Sequence, residues 1–82
     1  MKKIHPDFSR LAENWPAPFV VRDKVDVFSG NMINPRNIAN LDALGQGPKG
    51  RIRVGGKKIA YPVDSLIKWL EERSELLDVQ ED

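Results

Sequence analysis

The sequence predicts a mostly α-helical domain carrying one small β-hairpin, on three observations. Apolar residues recur at helical spacing in three separate stretches after Val20, and a short glycine-containing turn, "GNMI", separates the first two. The stretch "RIRVGGKKIAY" alternates around Gly55-Gly56, a two-residue hairpin signal, before the third helical stretch begins. Helix, turn, helix, hairpin, helix is the order of a winged helix-turn-helix: three core helices plus a two-stranded wing, here preceded by a short N-terminal helix.

The first element is that N-terminal helix. "DFSRLAEN" and the residue after it place Phe8, Leu11, Ala12 and Trp15 at i, i+3, i+4 and i+7, and "WPAP" must end the helix because a residue preceding proline is pushed out of the α region. Residues 1–19 therefore read as an arm with a short helix, residues 20–75 as the main domain and residues 76–82 as an acidic tail.

In the main domain "RDKVDVFSG" puts Val21, Val25 and Phe28 on one face and stops at Gly30. Asn34 is a favourable N-cap and Pro35 a favourable first residue for "NPRNIANLDALG", which closes at Gly45. At about 100° per residue, Ile38, Leu41 and Leu44 are expected to face inward and Arg36, Ala39, Asn40 and Ala43 outward. The outward set is small and polar, so the helix can approach another surface closely, and Arg36 and Asn40 have the donors for bidentate contacts to base edges in a major groove. The same composition suits an ordinary solvated face.

With Gly55-Gly56 as the whole turn, Val54 pairs with Lys57, Arg53 with Lys58, Ile52 with Ile59 and Arg51 with Ala60. Ile52, Ile59 and Tyr61 then share the core face and Arg51, Arg53 and Lys58 the other. Arg53 opposite Lys58 is a like-charge pair costing about a few tenths to 1 kcal/mol. A polyanion against that face would offset the cost through counterion release, while the plainer service of such cations is to guard an edge strand. Lys49 and Lys57 extend the basic cluster, which no acid interrupts between residues 45 and 62.

Gly45-Gln46-Gly47-Pro48-Lys49-Gly50 formally matches G-x-G-x-x-G, but a dinucleotide fingerprint follows a strand and opens a helix, whereas these glycines follow a helix and precede a strand. The final helix, from about Pro62, aligns Val63, Leu66, Ile67, Trp69 and Leu70 and trails into "ERSELLDVQED".

Charge and composition narrow the function. Residues 1–35 carry five basic and four acidic side chains, residues 36–58 six and one, and residues 59–82 two and seven, so a net charge of +1 conceals a directional field. The acidic end also reads as a solvated helix face and tail. Glu71 and Glu72 diverge by about 100° on a helix, and no nucleophile and base pair is visible, so no enzymatic activity and no small-molecule substrate are expected. The chain has no cysteine and one histidine, His5, which leaves no disulfide framework or thiolate zinc site, and no cofactor is expected. No apolar run approaches the roughly 20 residues of a membrane span and "MKKIHPDF" lacks a secretory core, so the chain is expected to be cytoplasmic without a membrane partner.

A helix beginning Asn-Pro, then Gly-x-Gly-Pro, a short strand, Gly-Gly-Lys-Lys, an aromatic-Pro pair and "SLIKWLEER" resemble the excisionase and AlpA-like branch of the MerR-type winged helix-turn-helix proteins. The resemblance covers roughly residues 20–73 and is strongest over "GQGPKGRIRVGGKKIAYPVDSLIKWLEE". It implies a small prophage or mobile-element protein that binds double-stranded DNA, with the second helix in the major groove and the wing on the backbone or minor groove. Such proteins act in recombination directionality, transcription regulation or DNA packaging. Where that family commonly carries aromatic and basic residues through the second helix, this chain has Ala39, Asn40, Leu41, Asp42, Ala43 and Leu44. Arg36, Asn40, Lys49, Arg51, Arg53, Lys57 and Lys58 are the expected DNA contacts. Partners beyond DNA would be further copies along the duplex, or a recombinase or polymerase. The rival expectation is a protein-interaction module that kept this fold, binds DNA weakly, and docks its partner through Phe8, Leu11 and Trp15 or through the acidic tail.

Overall fold

The structure, a computed structural model, describes residues 4–77. A 3-10 helix (Ser9–Asn14) leads into strand β1 (Phe19–Val21), a 3-10 turn (Arg22–Lys24), helices α1 (Val25–Ser29) and α2 (Pro35–Ala43), strands β2 (Ile52–Val54) and β3 (Lys58–Pro62), and helix α3 (Val63–Glu72). The three strands form one antiparallel sheet in the order β1-β3-β2. The domain is thus a mixture of helix and strand, not a helical bundle with an isolated two-stranded hairpin.

The third strand is the main departure from the sequence reading, which started a helix at Val21. Phe19, Val20 and Val21 pair with Pro62, Tyr61 and Ala60 of β3 instead. Three consecutive β-formers behind a proline favour an extended chain once a sheet edge is available, and that edge lies some 40 residues away, beyond the reach of local periodicity. The helix that remains is short. α1 has five residues, buries Val25 and Phe28, and ends as expected at Gly30, whose φ of 65° is left-handed.

Ser29 fixes the turn between α1 and α2. Its hydroxyl donates to the Val25 carbonyl at 2.7 Å and accepts from the Ile33 N–H at 2.9 Å, which seats Ile33 in the core. α2 opens as its sequence dictates: Pro35 is its first residue and the Asn34 Oδ1 accepts from the N–H groups of Arg36 and Asn37 at 2.8 and 3.3 Å. Those two donors would otherwise lack partners at the helix start.

Val20, Val25, Phe28, Ile33, Ile38 and Tyr61 meet Val63, Leu66, Ile67 and Leu70 of α3 in a single core. Trp69 lies at its margin, half-buried, with its indole N–H donated to the Gln46 carbonyl at 2.8 Å and the Arg73 guanidinium 4.9 Å above its ring.

The N-terminal segment docks onto this body. Phe8, Leu11 and Trp15 pack against the core; Trp15 meets Phe28 edge-on at 5.3 Å and donates its indole N–H to the Phe19 carbonyl. The Phe8 N–H donates to Glu71 Oε2, the Leu76 N–H to the Ile4 carbonyl, and the His5 Nδ1 lies 2.7 Å from the Ser74 carbonyl oxygen. Its helix, Ser9–Asn14, is 3-10 in type. Among the described residues, no helix is long and apolar enough to cross a membrane. Most of the predicted acidic tail, residues 78–82, lies outside the described residues; Leu76 and Leu77 are exposed.

Candidate nucleic-acid interface

The hairpin is one residue out of the expected register. Ile52 pairs with Ala60, Arg53 with Ile59 and Val54 with Lys58. Gly55 and Gly56 do make the turn, at φ of 62° and 81°, closed by the Lys57 N–H on the Val54 carbonyl, but Lys57 is then an extra residue before pairing resumes. The like-charge pair of Arg53 with Lys58 therefore does not form, and its cost disappears. A one-residue slip moves a strand's side chains to the opposite face relative to its neighbour. Tyr61, paired with Val20, takes the core face with Ile59 and hence with Arg53 opposite it, whereas Ile52 and Val54, 42% and 45% exposed, are left on the other with Lys58; Arg53 and Lys58 are both exposed but do not share the face expected of them.

The second correction lies on α2. Leu44, expected inside, is 68% exposed at the C-cap, whereas Asp42 is 6% exposed. Asp42 follows Ile38 by four residues and so shares its inward stripe. Its Oδ2 accepts from the Arg22 guanidinium at 2.7 Å and from the Tyr61 hydroxyl at 2.5 Å, and the Arg22 Nε donates to that hydroxyl at 3.0 Å. Arg51 Nη1 stands 3.6 Å from Oδ1. Burial first, then the neighbouring carboxylate, push the Tyr61 hydroxyl up from its ordinary 10 to about 12. For Arg22 burial opposes the charge, but hydrogen bonds to Tyr61 and Asp42 outweigh it and raise its pKa. Gly47 makes room for the cluster, since a Cβ there would fall 1.8 Å from Asp42 Oδ1.

This cluster ties together β1's exit (Arg22), α2 (Asp42), the start of the hairpin (Arg51) and β3 (Tyr61). Helix and hairpin are thereby held in a fixed relation. It also removes the sole acid of residues 36–58 from the surface.

The expected contact residues fall into four groups. Arg36 and Asn40 are exposed on α2; Arg53, Lys57 and Lys58 are exposed on the hairpin. Arg51 is half-exposed and turned toward Asp42. Lys49 lies apart from the hairpin, in the α2–β2 loop, where with Gly47, Ser65, Lys68, Trp69 and Glu72 it lines a cleft of about 240 Å³ against α3. A smaller cleft of about 120 Å³, lined by Arg22, Asp23, Lys57 and Lys58 among others, lies between β1's exit and the hairpin tip. Among the described residues the ion pairs are Arg10–Glu13, Arg22–Asp42 and Arg51–Asp42, so Arg36, Arg53, Lys57 and Lys58 have no acidic partner.

The sequence reading missed Asn37, exposed beside Arg36, and the anchoring role of Arg22. Asn37 was discoverable, since at 100° per residue it lies 60° from Asn40 on the outward side; Arg22 was not, because its partners are 20 and 39 residues away. Among the described residues no group of three His, Cys, Asp or Glu side chains could hold a metal ion. No known protein family, curated protein or solved structure matches the chain.

Proposed function

We propose that this is a non-enzymatic DNA-binding protein of winged helix-turn-helix type, similar in role to excisionases and prophage regulators. α1 and α2 are the helix-turn-helix, α2 enters the major groove, and the β2–β3 hairpin lies as a wing along the phosphate backbone. The element order supports this, with β1 pairing the inner strand of the wing and α3 closing the core.

One observation carries the reading: the only acid between residues 36 and 58 is buried and bonded to Arg22 and Tyr61, so Arg36 on α2 and Arg53, Lys57 and Lys58 on the hairpin stand exposed with no acidic side chain exposed among residues 36–58. Such a surface condenses onto a polyanion by releasing its counterions. Arg53, Lys57 and Lys58 contact phosphates, Arg51 supports them from the wing's base, and Arg36 and Asn40 act from α2. Of the two surfaces the rival docking module would use, Phe8, Leu11 and Trp15 are packed against the protein's own core, and most of the acidic tail lies outside the described residues.

Fluorescence anisotropy of labelled random duplex at two salt concentrations tests the proposal. Wild type should bind and weaken steeply with salt, and Arg53→Ala with Lys58→Ala should reduce the slope of log K against log salt by about 2, near 1 per phosphate contact. A slope unchanged by the double substitution would remove the wing from the interface.

A further inference from the structure

The outward face of α2 differs chemically from the hairpin. Its exposed residues are Arg36, Asn37, Asn40 and Leu44, with Ala43 beside them. Successive 100° steps place all five within a sector of about 120°. They span eight residue steps, or about 12 Å along the axis, close to the rise of three to four base pairs. One cation stands at the N-terminal end; the rest are two carboxamides followed by two apolar side chains.

That composition is poor for phosphates and suited to base edges. A carboxamide pairs with adenine in bidentate register, its N–H donating to N7 and its oxygen accepting from the N6 amino group; apolar side chains fit the C5-methyl of thymine. Asn40 caps nothing within the helix, and the cap at the helix start is made by Asn34, which leaves the side chains of Asn37 and Asn40 directed outward. Leu44 is the most exposed large apolar residue on this face. Phosphate contacts position a protein and base contacts specify the sequence, and here the two sets of residues are segregated between hairpin and helix.

We infer that α2 reads A·T base pairs in the major groove, Asn37 and Asn40 addressing adenine and Ala43 and Leu44 the thymine methyl. The inference rests on the proposed DNA-binding function and names the chemistry of its target.

The test uses chemically edited duplexes of one length: alternating A·T, alternating G·C, alternating A·T with uracil in place of thymine, and alternating A·T with 7-deazaadenine in place of adenine. Uracil removes only the major-groove methyl and 7-deazaadenine only the N7 acceptor. Wild type should prefer A·T to G·C and lose at least about fivefold in affinity on either edit, the lower end of a base contact's usual worth. Leu44→Ala should be less sensitive to uracil, and Asn37→Ala with Asn40→Ala less sensitive to 7-deazaadenine. All three positions are exposed, so the variants keep the fold, and circular dichroism confirms it. An A·T preference indifferent to both edits would assign the reading to the wing in the minor groove and overturn the inference, as would equal binding to all four duplexes. Absence of salt-dependent binding to any duplex would instead remove the DNA-binding function as well.

Discussion

Helices α2 and α3 are nearly equal in length, nine and ten residues, but they are held by different means. α3 buries four apolar side chains and gives its polar groups to the chain itself: Glu71 accepts from Phe8, and Trp69 donates to Gln46. α2 buries Ile38 and an aspartate. A helix with a full apolar stripe needs no further anchor, whereas one with a partial stripe requires a specific bond, here the charged hydrogen bond from Arg22. The difference separates scaffold from working surface. A helix secured at one buried carboxylate keeps its other face available, and α2's other face carries the neutral side chains assigned to base reading.

Truncation should separate the two helices most sharply. Leu66→Ala, at a fully buried site in α3, should cost about 3 kcal/mol of unfolding free energy through lost burial and the cavity left behind. Asp42→Ala should cost about 2 kcal/mol, toward the low end for breaking a buried pair because Arg22 retains some access to water. Urea titrations measure both. If Asp42→Ala were neutral, the carboxylate would not be α2's anchor and the contrast would collapse.

A smaller effect is expected at alkaline pH. Tyr61 is the chain's only tyrosine, so phenolate absorbance reports it alone. With its folded pKa raised to about 12 from an ordinary 10, the unfolded chain releases this proton first as pH rises. The stabilisation is thus complete below pH 10 and is lost between there and about 12, the unfolded state binding fewer protons in that window. Native protein that titrates near 10 would show that the hydroxyl is not engaged by burial and Asp42. The smallest effect belongs to Leu44→Ala, which should change stability by less than about 0.5 kcal/mol, as for surface positions generally. A larger loss would put Leu44 back in the core, where its spacing alone had placed it.

What was legible in the sequence is what is decided locally. The Asn34-Pro35 start of α2, its stop at Gly45, the Gly55-Gly56 turn and the apolar stripe of α3 each depend on a few neighbouring residues, and each is present. The exposed positions of Arg36 and Asn40 followed from the same local reasoning, whereas Arg53 and Lys58 are exposed in a register other than the one expected. What was not legible depends on distant partners. β1 exists because β3 offers an edge, and Asp42 turns inward because Arg22 and Tyr61 receive it; the hairpin slips because Lys57 joins Gly55-Gly56 in the turn. Periodicity treats an aspartate as outward by default, and only tertiary bonding reverses that default.

The close approach of Gly47 to Asp42 also sets an order in which this chain can change. A Cβ at position 47 would fall 1.8 Å from the carboxylate oxygen and 3.3 Å from the Asp42 Cα, so acquiring one while Asp42 is in place forces the carboxylate to shift away from its partners. Shortening position 42 first removes the nearest obstacle, but releases Arg22, Arg51 and Tyr61 from their common partner. Each route between the present pair and one with a side chain at 47 therefore crosses a less stable intermediate. The two positions form a ratchet: drift can enter only by way of the carboxylate, and once a side chain fills the space at 47, a returning aspartate finds its seat taken.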